Sequence, residues 1–271
     1  MTKKLEGMVV ALTGAASGIG RELAIALAAK GCHLALSDIN EAEPAATREL
    51  ISADVKVFTS VLNVSDKKAY EAYVANVLAE FGHVDIVINN AGRSVADGFV
   101  SGSIEDFELV MNVNFWGTFY GTKLFLPELL KRPQATIVNV SSVNALIPFP
   151  NQSSYNTSKS AIMGLSESLR QELRGTNVNV LTVYPGGVRT NIVKNSKFIN
   201  GPKAGMSQAD SASYFEKVAM TSAPRAARLI VSGIARRKSR LKVGPDAYLF
   251  DYLKRLMPRY AVKLVGQLAK M

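Results

Sequence analysis

Short apolar runs alternate along this chain with longer stretches in which apolar residues recur every three or four positions. The short runs predict β-strands at 8–12, 33–37, 55–59, 85–88, 136–140, 178–183 and 241–243. The longer stretches predict helices at 19–30, 41–52, 66–81, 104–131, 155–174 and 207–236. Several strand segments are apolar throughout, which is typical of parallel strands that helices cover on both faces. The alternation therefore predicts an α/β fold, with a doubly wound parallel sheet of about seven strands in a single domain.

The end of the chain, 246–271, predicts a helical extension of that domain. Its apolar residues recur at helical spacing on both sides of Pro258, which breaks the pattern into two amphipathic helices. These residues are Leu249, Phe250, Leu253, Leu256 and Met257 before the proline, and Val262, Val265 and Leu268 after it. No internal repeat, low-complexity tract or linker interrupts the chain, so we place the main domain at 1–245.

With 271 residues, 48% of them hydrophobic, the chain is long and apolar enough for one large packed domain. The single cysteine, Cys32, cannot form an internal disulfide and begins the apolar run 32–37, so we interpret it as a core residue of a reduced, intracellular protein. The N-terminal apolar run is too short for a targeting signal, and no apolar run is long enough to span a membrane. These features predict a cytoplasmic protein.

The net charge of +10 is concentrated near the C-terminal end of the chain. From Pro224 onward there are 12 lysines and arginines against two aspartates, whereas acidic and basic residues balance in the preceding part. Two interpretations of the terminal helices stay open. Their apolar faces pack on the substrate pocket or on a partner subunit, or the segment lies on an anionic membrane surface. Nucleic-acid binding is not predicted, because no recognisable motif or aromatic stacking pattern accompanies the charge.

The stretch 153-SSYNTSKSA-161 places Tyr155 and Lys159 four residues apart at the start of a predicted helix. Residues at this spacing are neighbours on one helix face, so the ammonium can lie close to the phenol. A nearby cation favours the phenolate and lowers the tyrosine pKa from about 10, although reaching neutrality requires burial or a second cation. The pair is a candidate for proton transfer, and the alternative is a solvated pair on the helix surface.

A glycine-rich loop, 13-TGAASGIG-20, follows the first predicted strand and opens a helix. Gly14, Gly18 and Gly20 allow a tight turn and let the backbone approach a pyrophosphate at the positive end of that helix. Asp38, at the end of the second strand, is placed to accept hydrogen bonds from ribose hydroxyls and to repel a 2′-phosphate, or to cap the next helix. The loop contains no lysine or arginine, so it favours NAD, with NADP as the alternative.

Six short motifs in order along the chain resemble those of the short-chain dehydrogenase/reductase family. They are 13-TGAASGIG-20, 89-NNAG-92, 112-NVNFWG-117, 139-NVSS-142, 155-YNTSK-159 and 185-PGGVRT-190. Each motif is weak alone, but their order and their placement on the predicted elements make the combination specific. The resemblance covers roughly residues 5–245 and implies a Rossmann-type fold. It also implies an NAD(P)-dependent oxidoreductase that interconverts an alcohol and a carbonyl compound.

The resemblance implies a catalytic tetrad of Asn114, Ser142, Tyr155 and Lys159. Tyr155 would act as the general acid or base, and Lys159 would hold the nicotinamide ribose and, with the charge of the oxidised cofactor, lower the tyrosine pKa. Ser142 would stabilise charge on the substrate oxygen, and Asn114 would hold a water that relays the proton through Lys159. The interval of 13 residues between Ser142 and Tyr155 matches the family and selects Ser142 over Ser141.

The resemblance also implies the residues that bind the nicotinamide cofactor. They are Gly14, Ser17, Gly18, Ile19, Gly20, Asp38, Asn63, Val64, Asn90, Ala91, Gly92, Tyr155, Lys159, Pro185, Val188 and Thr190. The 89–92 motif should line the adenine and ribose side, and the 185–190 motif should hold the nicotinamide carboxamide. The chain departs from the family at 63-NV-64, where Asp-Val is usual, but an asparagine can both donate to and accept from adenine. No metal site is expected, since His33 and His83 have no ligand spacing to other residues.

The resemblance places substrate specificity in the segment 191–220, after the sixth strand. Apolar residues in this segment and near Ser142 predict an apolar substrate pocket. A small anionic substrate is the alternative, because Arg189 and Lys194 are near the site. The expected pocket residues are Leu146, Ile147, Pro148, Phe149, Met206, Tyr214, Phe215 and Met220.

The family further implies a homodimer or homotetramer, with subunit contacts through the helix that carries Asn114 and through helix 155–174. Phe115 and Trp116 are then expected in the core or in the interface. A catalytically inactive nucleotide-binding regulator of the same fold is the alternative function. The presence of all four tetrad residues argues against it, because function depends on the site and not on the fold.

Overall fold

The computed structural model describes residues 4–40, 42–190, 192, 196–198 and 207–268. Its strands are β1 Val9–Thr13, β2 His33–Asp38, β3 Val57–Val61, β4 Ile86–Asn89, β5 Val95–Ala96, β6 Ala135–Val140, β7 Val178–Pro185, β8 Val188–Arg189, β9 Lys197–Phe198, β10 Thr221–Ser222 and β11 Arg240–Val243. Its α-helices are α1 Gly18–Ala28, α2 Ala42–Glu49, α3 Lys67–Phe81, α4 Ile104–Met111, α5 Gly117–Leu130, α6 Ser153–Glu172, α7 Gln208–Val218, α8 Ala223–Ala235, α9 Pro245–Leu256 and α10 Pro258–Leu268. A π-helical turn, Asn112–Trp116, joins α4 to α5, and a 3-10 turn, Val143–Ala145, follows β6.

Seven strands form one parallel sheet in the order β11-β7-β6-β4-β1-β2-β3. The predicted fold class is confirmed, and each predicted strand is present within about two residues of its expected bounds. The strand order reverses between β4 and β1. The carboxyl ends of these two strands therefore flank the crevice in which proteins of this architecture bind ligands.

Helices cover both faces of the sheet, and each face has its own apolar core. On one face α1 and α8 contribute the fully buried side chains of Leu27 and Ile230. On the other face α3 and α5 contribute Tyr73 and Phe125, whose ring centroids lie 6.2 Å apart. Cys32 is buried in the first core, as predicted, and burial raises the pKa of its thiol to about 12.

Two predicted helices differ from the structure. The predicted helix 104–131 is divided by the π-helical turn that contains Asn114. The predicted helix 207–236 is divided between α7 and α8, because β10 leaves the helical path and pairs with β8. Residues 219–222 contain no glycine or proline to reveal this break, and only Pro224, in the first turn of α8, marks the new start.

The inner faces of α9 and α10 pack against the loop that follows β6. The buried members of this apolar cluster are Val143, Ile147, Ala247, Ala261 and Val265. Phe149 and Phe250 add an edge-to-face ring contact with centroids 5.4 Å apart. The terminal helices are therefore packed on the rest of the protein along one face.

The positive charge after Pro224 is spread over several surfaces. Arg237 donates to the backbone carbonyl of Asn177, and Lys242 forms an ion pair with Asp251. Among the described residues of α9 and α10, the basic side chains are Lys254, Arg255, Arg259 and Lys263. The remaining charge of the described region lies on α8, β11 and their connection, which belong to the core of the fold. The expected basic appendage is therefore smaller than its sequence indicates.

No helix in the described ranges is both long enough and apolar enough to cross a membrane. Parts of the predicted substrate segment, including Lys194 and Met206, lie outside the described residues.

Candidate active site

The glycine loop lies at the carboxyl end of β1, where the strand order reverses. Gly14 has a left-handed backbone, with φ of +69°, and a Cβ there would lie 2.8 Å from the Cα of Ala91. A Cβ on Gly20 would collide with the carbonyl oxygen of Gly14. The close approach therefore requires glycine at both positions. Since the first N–H groups of a helix have no partners within it, the adjoining end of α1 can bind a pyrophosphate.

Asn90 joins this loop to the end of β4. Its Nδ2 donates to the carbonyl oxygens of Thr13 and Gly14, at 3.1 and 3.0 Å. The Thr13 hydroxyl accepts from the backbone N–H groups of Asn90 and Ala91, both at 3.2 Å. The amide hydrogens of Asn90 are thus already used, and its side chain holds the 89–92 motif against the glycine loop.

Asp38 lies at the end of β2, beside the glycine loop. One carboxylate oxygen accepts from the backbone N–H of Ala16 at 3.1 Å, and the other from that of Asn40 at 3.3 Å. Each oxygen keeps a lone pair that a ribose hydroxyl can use. Because α2 begins only at Ala42, Asp38 is too far along the chain to be its N-cap.

Arg21 also reaches the glycine loop, and it was not among the predicted residues. Its guanidinium donates to the carbonyl oxygen of Ala16, the residue whose N–H binds Asp38. The segment 13–20 contains no basic residue and therefore did not indicate a cation at the loop. Arg21 is the next residue, and the first turn of α1 brings its guanidinium back to the loop. The negative side chain of Asp38 and the positive side chain of Arg21 therefore both contact the backbone of Ala16, where the adenosine ribose is expected to bind.

Asn114 occupies the π-helical turn and is completely buried. Its Nδ2 donates to the Arg93 carbonyl at 3.0 Å and to Ser158 Oγ at 2.9 Å, and its Oδ1 accepts from the Arg93 N–H at 2.9 Å. Its carbonyl oxygen accepts from the Thr118 hydroxyl at 2.7 Å. The side chain has no spare hydrogen for a water, so only lone pairs on its two oxygens remain.

Lys159 is buried, and its ammonium donates to the carbonyl oxygen of Val140 at 3.0 Å. A Cβ on Gly92 would lie 3.3 Å from both Lys159 Nζ and Asn114 Oδ1, so these two groups flank Gly92. Burial lowers the pKa of Lys159 from 10.5 to about 8, and the ammonium stays charged at neutral pH. Two of its three hydrogens are left for other partners.

Tyr155 lies against both Ser142 and Lys159. The Lys159 Nζ is 5.5 Å from the centroid of the Tyr155 ring, and Ser142 lies close enough to the phenol to affect its pKa. Burial raises the pKa of Tyr155, and the nearby Ser142 hydroxyl lowers it by less. In the protein without cofactor, desolvation of the buried phenolate therefore outweighs its polar contacts, and the fall expected from Lys159 together with an oxidised cofactor stays a prediction.

The 185–190 motif closes the crevice on the other side. A Cβ on Gly18 would lie 3.1 Å from the Cγ2 of Thr190, so this loop and the glycine loop meet. Asp246, in the first turn of α9, accepts from the backbone N–H of Gly187 at 2.5 Å. A Cβ on Gly186 would collide with the same carboxylate. α9 thus holds the loop that is expected to bind the carboxamide, and Asp246 was not among the predicted residues.

The other predicted cofactor residues lie at the same edge of the sheet. Asn63 is exposed, and its Oδ1 already accepts from the N–H and the hydroxyl of Ser65, at 3.1 and 2.7 Å. Its Nδ2 is the group more readily offered to a base. Val64 is buried after β3, Pro185 ends β7, and Val188 is buried in β8. Ser17 and Ile19 lie at the start of α1.

The residues expected to line an apolar pocket lie in two different environments. Ile147 and Phe149 pack against α9 and α10, so they belong to the interior and not to a pocket wall. Tyr214 and Met220, on and after α7, are 45% and 62% exposed. The sequence alone could not distinguish the packed pair, Ile147 and Phe149, from the exposed pair, Tyr214 and Met220. Both pairs lie in apolar segments near the active-site motifs.

An amide cluster adjoins Ser142 and was not predicted. Asn144 Nδ2 donates to Gln152 Oε1 at 2.7 Å and to Asn156 Oδ1 at 2.8 Å. Ser142 Oγ donates to Asn144 Oδ1 at 3.2 Å and accepts from the Asn144 N–H at 3.2 Å. The available signal was an asparagine two positions after Ser142 and another directly after Tyr155.

Among the described residues, no group of three or more histidine, cysteine, aspartate or glutamate side chains is placed to hold a metal ion. His33 Nδ1 accepts from the backbone N–H of Lys56 at 3.0 Å, and His83 lies 3.3 Å from the Asp85 carboxylate. The expectation that the protein has no metal site stays a prediction.

Known proteins resemble this chain over nearly its whole length. The family model described as short chain dehydrogenase matches residues 8–198. A Mycobacterium tuberculosis protein named as an oxidoreductase, SadH, is 38% identical over 265 residues, which are 96% of this chain and 95% of that protein. The human dehydrogenase/reductase SDR family member 7 is 32% identical over 274 residues, which are 98% of this chain and 79% of that protein.

Solved structures agree with this fold. A short-chain dehydrogenase/reductase from Burkholderia phymatum in complex with NAD gives a TM-score of 0.85 at 27% identity, covering 95% of this chain and 96% of that one. An alcohol dehydrogenase from Thermococcus sibiricus complexed with 5-hydroxy-NADP gives 0.74 at 26% identity, covering 88% and 95%. A nicotinamide cofactor is common to both, and the glycine cradle beside Asp38 fits one. The chain therefore belongs to the short-chain dehydrogenase family of oxidoreductases.

Proposed function

We propose that this protein interconverts an alcohol and a carbonyl compound, with Tyr155 as the general acid or base. The observation that carries the proposal is the buried ammonium of Lys159, 5.5 Å from the centroid of the Tyr155 ring, in a site where Ser142 affects the pKa of Tyr155. When bound, a nicotinamide cofactor supplies the hydride chemistry and, in its oxidised form, a second positive charge. The residues of the chain supply the cradle and the proton transfer.

The raised pKa of Tyr155 suits proton donation. At neutral pH the phenol keeps its proton and can give it to a carbonyl oxygen as that oxygen becomes an alcohol. In the opposite direction the phenolate must form before it can take the alcohol proton. The Lys159 ammonium, 5.5 Å from the ring, favours that phenolate.

Ser142 is the second donor to the substrate oxygen in this proposal, since it lies near the Tyr155 phenol. Asn114 supports the loop after β4, because its amide hydrogens are bound to Arg93 and Ser158. A relay water would bind one of the oxygens of Asn114. The two remaining hydrogens of Lys159 would pass the proton between that water and the site.

We propose NAD as the preferred cofactor. The Asp38 carboxylate, with lone pairs beside the glycine loop, would accept from the ribose hydroxyls and repel a 2′-phosphate. Arg21 opposes this preference, although part of its guanidinium is engaged with the carbonyl oxygen of Ala16. NADP is the alternative. The proposed substrates are apolar, because Tyr214 and Met220 leave apolar surface exposed around α7.

Cofactor binding and turnover test the function together. Full-length protein is titrated with NADH and with NADPH by nicotinamide fluorescence, and is then assayed by nicotinamide absorbance on aliphatic and aromatic alcohols and ketones. Tyr155→Phe should bind cofactor like the wild type and lose at least about 100-fold in kcat, because general acid–base catalysis contributes roughly 10²–10⁴-fold. Tyr248→Phe makes the same change on the exposed side of α9 and should keep full activity.

Two results would count against the proposal. Turnover of Tyr155→Phe within about tenfold of the wild type would remove Tyr155 from its assigned role. Tight cofactor binding with no turnover of any alcohol or ketone would favour the catalytically inactive nucleotide-binding regulator.

We further propose that the protein forms a homodimer or homotetramer through an aromatic surface on the π-helical turn and α5. Phe115, Trp116, Phe119 and Tyr120 make mutual ring contacts there, and Trp116 is 41% exposed. Family members are usually oligomeric, which supports a second copy of this chain as the occupant. Sedimentation should give an oligomer for the wild type and a smaller species for Trp116→Glu.

A contact with an anionic membrane is proposed for the outer face of α9 and α10. We define this terminal face by Leu249, Tyr252, Leu256, Tyr260 and Leu264, all exposed. The two aspartates of these helices, Asp246 and Asp251, are engaged with Gly187 and Lys242. The free charges beside the terminal face are therefore positive among the described residues, which is complementary to an anionic surface.

A further inference from the structure

We infer that Asn144 is a positioning residue for Ser142, and that Asn156 sets the orientation in which Asn144 holds it. The inference rests on the proposed roles of Ser142 and Tyr155. It begins at an unambiguous acceptor, the backbone carbonyl oxygen of Phe149. Asn156 Nδ2 donates to this oxygen at 2.7 Å, so the Oδ1 of Asn156 is the atom that faces Asn144.

The orientation of Asn156 determines that of Asn144. The Asn144 amide meets two acceptors, Asn156 Oδ1 at 2.8 Å and Gln152 Oε1 at 2.7 Å, so it must present its NH₂ group to both. A flipped amide would bring three oxygens together without a hydrogen between them. The Oδ1 of Asn144 is consequently turned toward Ser142.

The proton of Ser142 is placed by this arrangement. Ser142 Oγ accepts from the Asn144 N–H and donates to Asn144 Oδ1, both at 3.2 Å. In the resting site Ser142 Oγ therefore keeps one lone pair for a further donor. Ser142 and Asn144 are 6% and 8% exposed, which limits competition from water.

A purely structural role is the alternative, in which the amide cluster only shapes the connection between β6 and α6. Loss of such a role would weaken folding and substrate binding whether or not Ser142 has a hydroxyl. A role through Ser142 must instead disappear once that hydroxyl is removed. Dependence on Ser142 therefore distinguishes the two.

The kinetic experiment compares single and double variants of the full-length protein. Asn144→Ala and Asn156→Ala should each lower kcat by less than the about 10²–10³-fold that loss of a whole oxyanion donor costs, with KM within about threefold, because Ser142 Oγ loses a contact that fixes its position and keeps the backbone N–H of residue 144. Adding Asn144→Ala to Ser142→Ala should cause no further loss, and Asn144→Ala with Asn156→Ala should be no worse than Asn144→Ala. Asn179→Ala is the matched control, because it removes an asparagine–carbonyl hydrogen bond on β7.

A second measurement needs no turnover. Tyrosines labelled with ¹³C at Cζ are titrated by NMR without cofactor, and Tyr155→Phe identifies the Tyr155 signal. Without the Asn144 side chain, the Ser142 hydroxyl is free to donate to the phenolate, so Tyr155 should titrate at lower pH in Asn144→Ala. The shift should be absent when Ser142 is already alanine. Lys159, the cation beside the ring, is the same in every variant.

An unchanged Tyr155 titration in Asn144→Ala would overturn the inference. So would an equal loss of kcat from Asn144→Ala with and without the Ser142 hydroxyl. If the wild type turns over no alcohol or ketone while the Tyr155 signal shifts as expected, the proposed function fails and the hydrogen-bond assignment stands.

Discussion

The ammonium of Lys159 donates a hydrogen bond to the carbonyl oxygen of Val140, 3.0 Å away, inside the candidate active site. A cation held in this way exchanges water for one neutral acceptor, and for that reason its pKa falls to about 8. The same position keeps the charge 5.5 Å from the Tyr155 ring. Burial of the charged Lys159 ammonium therefore lowers the free energy of unfolding, and the size of this decrease depends on pH.

Replacing Lys159 by methionine should remove this pH dependence. The folded pKa lies below the unfolded value of 10.5, so the unfolded state binds more protons between pH 8 and 10.5. The contribution of Lys159 to the free energy of unfolding must then rise with pH across that window. Urea denaturation between about pH 7 and 9 should show the wild type gaining stability relative to Lys159→Met.

The pH range of this experiment stops at about 9 because, above that value, the titration of Cys32 lowers the stability of the protein. The pKa of Cys32 is raised to about 12 from 9.0, so its contribution to stability is lost as the pH rises above 9. Both proteins contain Cys32, and their difference isolates Lys159. Parallel stability profiles for the two proteins would show that Lys159 is not desolvated.

Cofactor preference should depend on the pair formed by Asp38 and Arg21 at the glycine loop. In Asp38→Ala combined with Ile39→Arg, the repulsion of a 2′-phosphate is replaced by a cation on an exposed position. A charge-assisted hydrogen bond contributes about 1.5–3 kcal/mol, so the ratio of the NAD and NADP dissociation constants should shift toward NADP by roughly 10- to 100-fold. Fluorescence titration of both reduced cofactors measures the ratio.

Arg21→Met provides the matched control for this cation. With Asp38 intact it should weaken NADP binding more than NAD binding, because it removes positive charge near the ribose. A wild-type protein that binds NADP more tightly than NAD would show that Arg21, and not Asp38, decides the preference.

Asp246 should support cofactor binding through the backbone of the 185–190 loop. Asp246→Ala leaves the Gly187 N–H without its acceptor, which should lower the free energy of unfolding by roughly 1–3 kcal/mol and raise the cofactor dissociation constant. Asp246→Asn keeps an oxygen in the same place and should restore most of the stability and most of the cofactor affinity. Equal behaviour of the two variants would mean that charge, and not the hydrogen bond, matters.

The sheet could be predicted from the sequence because several of its strands contain continuous apolar runs. Residues 86–88, for example, are apolar and form the buried core of β4. The two divided helices could not be predicted in the same way. Asn114 interrupts an apolar helix without glycine or proline, since the π-helical turn is stabilised by hydrogen bonds to Arg93 and Thr118.

The candidate site was predictable at positions where the chemistry requires one residue type. Gly14 and Gly20 are examples, because neighbouring backbone excludes any Cβ there. Asp246 acts on Gly187, 59 residues away, so no spacing along the chain reveals it. Arg21 and Asn144 act on neighbours five and two residues away, and their contacts depend on the local turn of the backbone. The sign of the Tyr155 pKa shift was likewise not predictable, because it depends on burial, which spacing does not measure.

The terminal face should bind anionic vesicles through both its apolar and its basic residues. Arg259 and Lys263 lie one turn apart on α10, beside the exposed Tyr260 and Leu264. Basic residues near an anionic surface are attracted within a Debye length of about 10 Å at 0.1 M salt, so binding should weaken steeply as salt is added. Co-sedimentation with vesicles of phosphatidylcholine and phosphatidylserine measures it.

Charge reversal at two places on the surface separates membrane binding from a general effect of net charge. Arg259→Glu with Lys263→Glu should lower vesicle binding by roughly tenfold or more, since both charges lie beside the terminal face. Arg225→Glu with Arg228→Glu makes the same change on exposed positions of a different helix, α8, and should bind nearly as well as the wild type. Equal losses of vesicle binding in the two double variants would mean that binding depends only on the net charge of the protein. No binding by the wild type at low salt would leave the inner packing on the loop after β6 as the role of α9 and α10.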